Sequence, residues 1–333
     1  MKIFFAVILF VLLFVLNLLT GSADIPFEEV LKVLAGKSDN EVFKVIVLEN
    51  RLPQAVTAVF AGAGLSVGGL IMQTVFFNPL AGPSVLGISS ASTLGAAVVT
   101  FLFSSVFLEF NSRFSVVLGA LIGAAAVILL LVFLSGIIRN NLTLLIIGLM
   151  ISYISGSAVT VLNFFGTEQS VKNFTVWNMG SFSGLENADL PFFILPVLIA
   201  GGAAFLTVKP LNLLLLGENY AQNLGVNLRL SKAVLLLIAG VLTAVVTAYC
   251  GPVSFIGLIV PHVARLVLKT SNHTKILPSS VFFGACIALV CNLLCVLPGS
   301  YGILPLNAVT PVFGVPVILY LLVSKKNINF AGS

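Results

Sequence analysis

Residues 52–76 read LPQAVTAVFAGAGLSVGGLIMQTVF, an apolar run that contains no charged side chain. About 20 apolar residues in a helix cross the hydrocarbon core of a bilayer, so this run predicts a membrane-spanning helix. Small residues occupy every second position from Gly62 to Gly68, a spacing that lets another helix approach closely. Residues 64–68 also fit the GxSxG pattern of hydrolases, but that pattern requires a strand-to-helix turn. The run therefore predicts helix packing inside a membrane.

The rest of the chain has the same apolar character. Of its 333 residues, 59% are hydrophobic and 8% are charged, whereas about 25% are charged in an ordinary soluble domain. This composition excludes a soluble globular protein. Apolar runs bounded by glycine, proline, asparagine or charge lie at 3–20, 52–76, 86–107, 114–136, 142–164, 190–208, 231–250, 253–268, 278–297 and 305–323. We predict an all-α integral membrane protein with about ten transmembrane helices in a single domain over residues 1–333.

Charged residues are distributed unequally between the two sides of these spans. If the N-terminus is inside, the only acidic residue on the inner side is Glu218. The basic residues on that side are Lys2, Arg139, Lys209, Arg229, Lys232, Arg265, Lys269, Lys275, Lys325 and Lys326. Because cytoplasmic loops of membrane proteins carry an excess of Lys and Arg, both termini are predicted to be cytoplasmic. The net charge of +5 then reflects topology in the lipid membrane and not a nucleic-acid partner.

The first apolar run has two interpretations. Lys2, residues 3–20 and the small residues 21–23 also resemble a cleavable signal peptide. The apolar run is longer than the usual signal core of about 7 to 15 residues, which favours a retained first helix. Cleavage would leave nine spans with the same orientation.

Motifs for catalysis and metal binding are missing from the sequence. It contains no GxxxxGK[ST] P-loop, so an ATP-driven step must use another polypeptide. His262 and His273 are isolated, and the four cysteines have no CxxC spacing, so no metal site is predicted. No Asp or Glu lies in mid-span, where an ion-coupled carrier needs one. We predict neither catalytic residues nor a cofactor bound by this chain.

Two polar segments at the predicted membrane surfaces are candidate sites. At the outer mouth, Arg51 and Gln54 flank a proline at a helix start, and they are either interfacial anchors or a docking and gating site. On the inner side, residues 209–231 form the longest loop and carry Glu218. Such a loop suits short surface helices that present Glu218 to a soluble partner.

Two short Gly-Pro strings form a third feature. Residues 78–84 and 251–257 predict a broken or re-entrant backbone, which membranes tolerate only where protein or a water-filled cavity covers it. The strings have opposite predicted sidedness, which suggests an inverted repeat of about four helices.

The fifth and tenth predicted helices carry uncharged polar stripes. The residues are Ser152, Ser155, Gly156 and Asn163 on the fifth helix and Asn307, Thr310 and Gly314 on the tenth. Such stripes either line a path for a bulky solute or serve helix packing, and the sequence leaves both interpretations open.

Several sequence blocks, in order along the chain, resemble the permease family of ABC importers for iron-siderophore, haem and cobalamin uptake. The blocks are Arg51-Leu52-Pro53, Gly69-Leu70-Ile71-Met72-Gln73, Asn78-Pro79-Leu80-Ala81, Leu86-Gly87-Ile88-Ser89-Ser90, Met179-Gly180-Ser181-Phe182-Ser183-Gly184, Leu216-Gly217-Glu218, Leu224-Gly225-Val226, Gly251-Pro252 and Phe255-Ile256-Gly257-Leu258-Ile259-Val260-Pro261-His262. The resemblance covers residues 45–323.

The resemblance implies a type II importer architecture in the bacterial inner membrane. Two permease subunits, expected to form a homodimer, would enclose the pore. Two ATPase subunits would bind ATP and Mg²⁺ on the inner side, and a periplasmic or lipoprotein binding protein would deliver the solute outside. Gly217, Glu218, Ala221 and Gly225 match the segment that docks in the ATPase, and the fifth and tenth helices would line the path.

This chain departs from the family pattern at the outer mouth. The family often has a second arginine after the first, as RLPR, and an Asp-x-x-x-Arg pattern near the outer end of the ninth helix. These positions are Gln54, Asn292 and Val296 here, so Arg51 is expected to act with fewer charged neighbours.

The sequence thus predicts a transport subunit, without an ATPase motif of its own, that imports a metal chelate by alternating access. A ferric siderophore is the first candidate substrate, and cobalamin or haem is the alternative. An ATP-independent carrier is the rival class, but the coupling carboxylates that it needs are missing from the spans.

Overall fold

The computed structural model describes residues 2–103, 112–138, 140–296 and 302–323, and all regular structure within them is helical. In chain order the α-helices are α1 Lys2–Leu19, α2 Phe27–Leu34, α3 Glu41–Lys44, α4 Leu52–Val75, α5 Ile88–Leu102, α6 Ser112–Ser135, α7 Asn141–Phe165, α8 Glu168–Asn178, α9 Leu190–Leu206, α10 Val208–Leu214, α11 Glu218–Asn223, α12 Leu228–Cys250, α13 Ile256–Leu268, α14 His273–Val296 and α15 Leu306–Val323. A π-helical turn, Val45–Arg51, joins α3 to α4, and a 3-10 turn, Pro83–Leu86, precedes α5. The predicted inner positions of Arg139, Lys325 and Lys326 lie outside the described residues.

Apolar helices occupy each of the ten predicted segments. Within the described ranges, five helices are long and apolar enough to cross a membrane: the continuous helix Glu41–Val75, α6, α7, α12 and α14. A sixth span results if α9 and α10, which meet at a bend of 56°, are taken together. The apolar helices α1, α5, α13 and α15 are shorter. The all-α membrane fold is confirmed with five or six full-length spans, while ten crossings stay a prediction.

The small residues of α4 are its packing points, as predicted. A Cβ atom added at Gly62 would collide with the backbone of α14, and one added at Gly69 would collide with the carbonyl oxygen of Gly257 in α13. Ser66 is fully buried, and its hydroxyl donates a hydrogen bond of 2.7 Å to the carbonyl oxygen of Ser280 in α14. The GxSxG string therefore lies in a helix and serves helix packing.

The two Gly-Pro strings meet beside the middle of α4. Pro83 of the first string and Val253 of the second line the same small space as Leu65. Phe255 adopts φ +68°, in the left-handed region where a bulky residue is uncommon, and α13 begins directly after it. The predicted break of the backbone is confirmed, since α5 and α13 both start within the bundle.

Candidate functional site

The inner loop predicted at residues 209–231, which we call the coupling segment, contains α11 and most of α10. Gly217 precedes α11 with φ +100° and Gly225 follows it with φ +88°, values that glycine adopts without steric cost. Ala221 is fully buried and belongs to the main hydrophobic core. These three predicted coupling residues therefore define the ends of α11 and attach it to the bundle.

Glu218 points toward the bundle. Its Oε1 atom lies 2.8 Å from Nζ of Lys232 on α12 and accepts a hydrogen bond of 2.6 Å from Nδ2 of Asn141 on α7. Lys232 also donates a hydrogen bond of 2.8 Å to Oδ1 of Asn141. We call these three side chains the inner triad. The buried ammonium group of Lys232 draws the carboxylate inward, and the side chain of Glu218 remains 26% exposed. That Glu218 is presented to a soluble partner stays a prediction.

Apolar side chains of the coupling segment face outward instead. Leu216, Tyr220 and Leu224 are 53%, 68% and 60% exposed, and we call them the apolar ridge. Tyr220 and Leu224 are four residues apart and lie on one side of α11 and its C-cap, while Leu216 directly precedes the turn at Gly217. Charge drew attention to Glu218, although large apolar residues in a polar loop are also a signal that the sequence shows.

The inner end of α4 receives hydrogen bonds from two other helices. The carbonyl oxygen of Val75 accepts a bond of 3.0 Å from Nδ2 of Asn141. Two residues earlier, Oε1 of Gln73 accepts a bond of 2.6 Å from Nη1 of Arg265 on α13. The last carbonyl groups of a helix need such partners because no intrahelical donor follows them, and here Asn141 supplies one.

A second polar path connects α10 to the same end of α4. The backbone N–H of His273 donates to Oδ1 of Asn212 on α10 at 2.8 Å, and Nδ1 of the imidazole lies 3.1 Å from the same atom. The other ring nitrogen, Nε2, lies 2.9 Å from the hydroxyl of Thr74. Both short helices of the coupling segment are thus tied to the inner end of α4.

Arg51 lies before the outer end of α4 and is buried, with 4% of its surface exposed. Its guanidinium group donates to the carbonyl oxygens of Leu18, Leu19 and Ala23 at 2.9, 2.8 and 2.5 Å. It therefore fastens the chain that leaves α1. Of the two interpretations of Arg51, these contacts favour an anchor, and a docking or gating role at the outer mouth stays a prediction.

Gln54 belongs to a chain of amide groups that joins three helices. Its Nε2 atom donates to Oδ1 of Asn292 on α14 at 2.9 Å, and Nδ2 of Asn292 donates to Oδ1 of Asn17 on α1 at 2.7 Å. Nδ2 of Asn17 in turn donates to the carbonyl oxygen of Leu289 at 3.2 Å. We call Gln54, Asn292 and Asn17 the amide chain. Gln54 and Asn292, which both depart from the family pattern, therefore contact each other directly.

The predicted stripe on α7 is divided between two faces. Gly156 and Asn163 are exposed, Ser152 is half-buried and donates to the carbonyl oxygen of Gly148 at 3.1 Å, and Ser155 is buried. Only 17% of the most apolar stretch of α7 is buried inside the bundle. In the other long spans of the described chain, the buried share of the corresponding stretch is 39% to 78%. α7 therefore presents an uncovered face that includes Gly156 and Asn163, while Ser155 faces the bundle.

The predicted stripe on α15 faces the bundle. A Cβ atom at Gly314 would collide with the ring of Phe255, so this glycine serves packing. Thr310 is 1% exposed, and its hydroxyl, which has no hydrogen-bond partner, borders an apolar cavity of about 340 Å³ between α1, α13, α14 and α15. Of the two interpretations left open for this stripe, these contacts favour helix packing, and a role of Thr310 and Gly314 in lining a path stays a prediction.

Asn307 stabilises the backbone turn at residues 251–255, which leads into α13. Its Nδ2 atom donates to the carbonyl oxygen of Pro252 at 2.6 Å, and its Oδ1 atom accepts from the backbone N–H of Ser254 at 3.2 Å. Its own N–H donates to the carbonyl oxygen of Met179 at 3.2 Å. Asn307 thus holds the second Gly-Pro string to the turn after α8.

Metal-binding groups are not clustered in the described part of the chain. No three His, Cys, Asp or Glu side chains there lie close enough together to hold a metal ion. The four cysteines are free and buried, and the arrangement offers side chains for packing and hydrogen bonding.

Apolar spans pack around α4, and the shorter helices α5 and α13 follow breaks in the backbone. Together with the loop of short helices, this arrangement defines a multi-pass membrane protein. The model of the FecCD transport family matches residues 9–324. This chain belongs to that family and is a membrane permease.

Relatives along the whole chain agree with this assignment. The chain is 34% identical over 322 residues to the hemin transport system permease protein HmuU of Yersinia pestis, covering 95% of each chain. It is 33% identical over 322 residues to the vitamin B12 import system permease protein BtuC of Photorhabdus laumondii, covering 96% of this chain and 91% of that one. A solved structure described as an inward-facing conformation of a metal-chelate type ABC transporter superposes with a TM-score of 0.83 at 27% identity, over 97% of this chain and 98% of the other.

Proposed function

We propose that this chain is the permease subunit of an ATP-driven importer that moves a metal chelate across the bacterial inner membrane by alternating access. The family match over residues 9–324 carries the proposal. Relatives are named for hemin and vitamin B12, both of which are large organic chelates of a single metal ion. Both termini would lie in the cytoplasm, in keeping with the excess of basic residues on that side.

The coupling segment is the proposed contact with ATPase subunits, which would bind ATP and Mg²⁺. The apolar ridge supports this role because exposed apolar side chains at a polar surface are typical of interaction sites. Gly217, Ala221 and Gly225 would hold α11 in position, and Glu218 would anchor it to Lys232. Association with the ATPase would therefore depend on the ridge more than on the carboxylate.

A second permease subunit, which we propose to be an identical copy, would complete the path. The uncovered face of α7 supports this arrangement, since α7 is the least buried of the long spans in the described chain. Gly156 and Asn163 on this face would border the path or the partner. A periplasmic or lipoprotein binding protein would deliver the solute from outside.

Among metal chelates we put a ferric siderophore first, with haem and cobalamin as alternatives. Identities of 34% to the hemin permease and 33% to the vitamin B12 permease do not separate these alternatives. The candidate path residues on α7 are uncharged, so we propose that selectivity comes mainly from the binding protein. An ATP-independent carrier is the opposing hypothesis.

Uptake in a strain lacking this gene tests the proposal. The strain would be complemented with the gene and offered radiolabelled ferric siderophores, haem and cobalamin, with and without the ATPase subunit. A P-loop Lys variant of the ATPase is the matched control, because it assembles but does not hydrolyse ATP efficiently. Uptake of one chelate that requires an active ATPase supports the proposal. Uptake that persists with the inactive ATPase would contradict it and favour the carrier.

A further inference from the structure

The inner triad connects the coupling segment to the first residue of α7. Asn141 donates to Glu218 on α11 at 2.6 Å and to the carbonyl oxygen of Val75 on α4 at 3.0 Å. It also accepts from Lys232 on α12 at 2.8 Å. One amide group therefore joins α7 to the loop that would contact the ATPase and to the central helix.

This contact is not needed to start α7. The N-cap of α7 is Asn140, whose Oδ1 atom accepts a hydrogen bond of 2.8 Å from the backbone N–H of Leu142. Such a cap satisfies a donor at the start of the helix. The side chain of Asn141 is thus directed to neighbouring elements and has another role.

The triad resists separation because it contains a buried charge. The side chain of Lys232 is 8% exposed, and a buried ammonium group without its counter-ion is strongly destabilised. When α11 moves, Glu218 is therefore expected to keep its contact with Lys232 and Asn141. The start of α7 would move with them.

α7 packs on the bundle along one side, where Ser155 is buried, and leaves its other side uncovered. It is the least buried of the long spans in the described residues. Near its inner end, a Cβ atom at Gly148 would collide with the backbone of Leu86, whereas at its other end a Cβ atom at Gly166 would meet the side-chain ring of Phe101. A helix held near one end can change its tilt when that end is displaced. A displacement at Asn141 would then be amplified toward the outer end of α7.

We propose that Asn141 is a positioning residue that transmits the movement of the coupling segment to α7. The proposal rests on the proposed function, because it requires an ATPase that moves this segment. Asn141 would contact neither ATP nor the solute. Its substitution should uncouple hydrolysis from transport and leave assembly intact.

The first test compares Asn141→Ala with Asn140→Ala in the complete transporter, with its ATPase subunits and binding protein, reconstituted in proteoliposomes. ATP hydrolysis and uptake of the chelate identified in the strain assay would be measured in the same vesicles. Coupling between sites is commonly worth a factor of about 5 to 150, so we expect Asn141→Ala to lower uptake per ATP hydrolysed by at least about fivefold. Asn140→Ala should lower the melting temperature and keep the ratio.

A conservative variant separates positioning from packing. Asn141→Gln keeps the amide donor and acceptor on a longer side chain, so it should recover part of the uptake ratio that Asn141→Ala loses. Equal losses in Asn141→Ala and Asn140→Ala would show that only the start of the helix matters, and this result would overturn the proposal.

A distance measurement keeps the test independent of the substrate. Spin labels at Val161→Cys on α7 and Phe192→Cys on α9, positions 54% and 70% exposed, would report the tilt of α7 in the complex with and without Mg·ATP. The native cysteines are buried and would be replaced if they react. Asn141→Ala should reduce the nucleotide-induced distance change by at least about twofold. An equal distance change in the parent protein and in Asn141→Ala would overturn this proposal alone. If the parent protein shows no distance change and binds no ATPase, the proposed function would be overturned as well.

Discussion

Gln54 and Asn292 are joined by an uncharged hydrogen bond of 2.9 Å between α4 and α14. The family that the chain resembles often has arginine at the first position and aspartate at the second. Both positions carry amide groups here, and the hydrogen bonds extend to Asn17 on α1. Because an amide carries no charge, this contact avoids the desolvation penalty of a buried ion pair.

The amide pair predicts a double substitution that restores stability. Gln54→Arg alone should lower the melting temperature, because it introduces a half-buried cation without a counter-ion. Asn292→Asp alone should do the same with an anion. The double variant should recover most of the loss, with a coupling energy of about 0.5 to 3 kcal/mol. Thermal unfolding of the four proteins in lipid nanodiscs measures this cycle, and additive losses would contradict the pairing.

The inner triad predicts unequal costs for its two charged residues. Glu218→Ala leaves the ammonium group of Lys232, 8% exposed, without its counter-ion, while Lys232→Met leaves a carboxylate that is 26% exposed. Removing one partner of a buried pair costs about 3 to 5 kcal/mol, and solvent screening reduces this cost for the more exposed group. Glu218→Ala should therefore lower the melting temperature more than Lys232→Met. The opposite order would mean that the ammonium group reaches water.

The apolar ridge predicts a loss of ATPase binding without loss of stability. Tyr220→Asp and Leu224→Asp change side chains that are 68% and 60% exposed, so the fold should tolerate them within about 0.5 kcal/mol. Each should reduce co-purification of the ATPase subunits. Val42→Asp is the matched control, because Val42 is 64% exposed and lies before α4, on the side of the membrane predicted to be opposite the ridge. Normal co-purification of both ridge variants would show that the ridge is not the contact.

The close approach of α4 and α13 predicts a strong effect of one methyl group. At Gly69 an added Cβ atom would overlap the carbonyl oxygen of Gly257, whereas Gly201 in α9 has no atom within 4 Å of an added Cβ atom. Overpacking typically costs about 1 to 3 kcal/mol, so Gly69→Ala should lower the melting temperature clearly. Gly201→Ala should keep or raise it, because alanine favours a helix more than glycine does. Similar melting temperatures for both variants would contradict the packing.

The sequence predicted the helices because apolar runs and Gly-Pro breaks are local signals. Residues 52–76 became α4, and residues 251–257 became the reversal that holds Phe255 at φ +68°. The predicted segments 86–107 and 253–268 begin two and three residues before α5 and α13, because composition alone does not separate an apolar residue in a turn from one in a helix.

Side-chain direction in the candidate site was not predictable in the same way. Glu218 is the single inner acidic residue, so it suggested an exposed contact, but its direction is decided by Lys232 and by Asn141, which is 77 residues away along the chain. Thr310 was compatible with either a path or helix packing, and its side chain is buried in the bundle. Each of these outcomes depends on contacts between distant helices, and one sequence without relatives does not reveal them.

The amide chain also predicts that the mature protein retains residues 3–20. Asn17 accepts a hydrogen bond from Asn292, and the carbonyl oxygens of Leu18 and Leu19 accept from Arg51. Cleavage after residue 23 would leave the amide of Asn292 and the guanidinium group of Arg51 buried without these partners, at a cost of about 1 to 3 kcal/mol for each group. The intact mass of the protein purified from membranes should therefore include α1, and Asn17→Leu should lower the melting temperature without changing where the chain begins. A mass that begins after residue 23 would show that the bundle is stable without α1 and that the first run is a signal peptide.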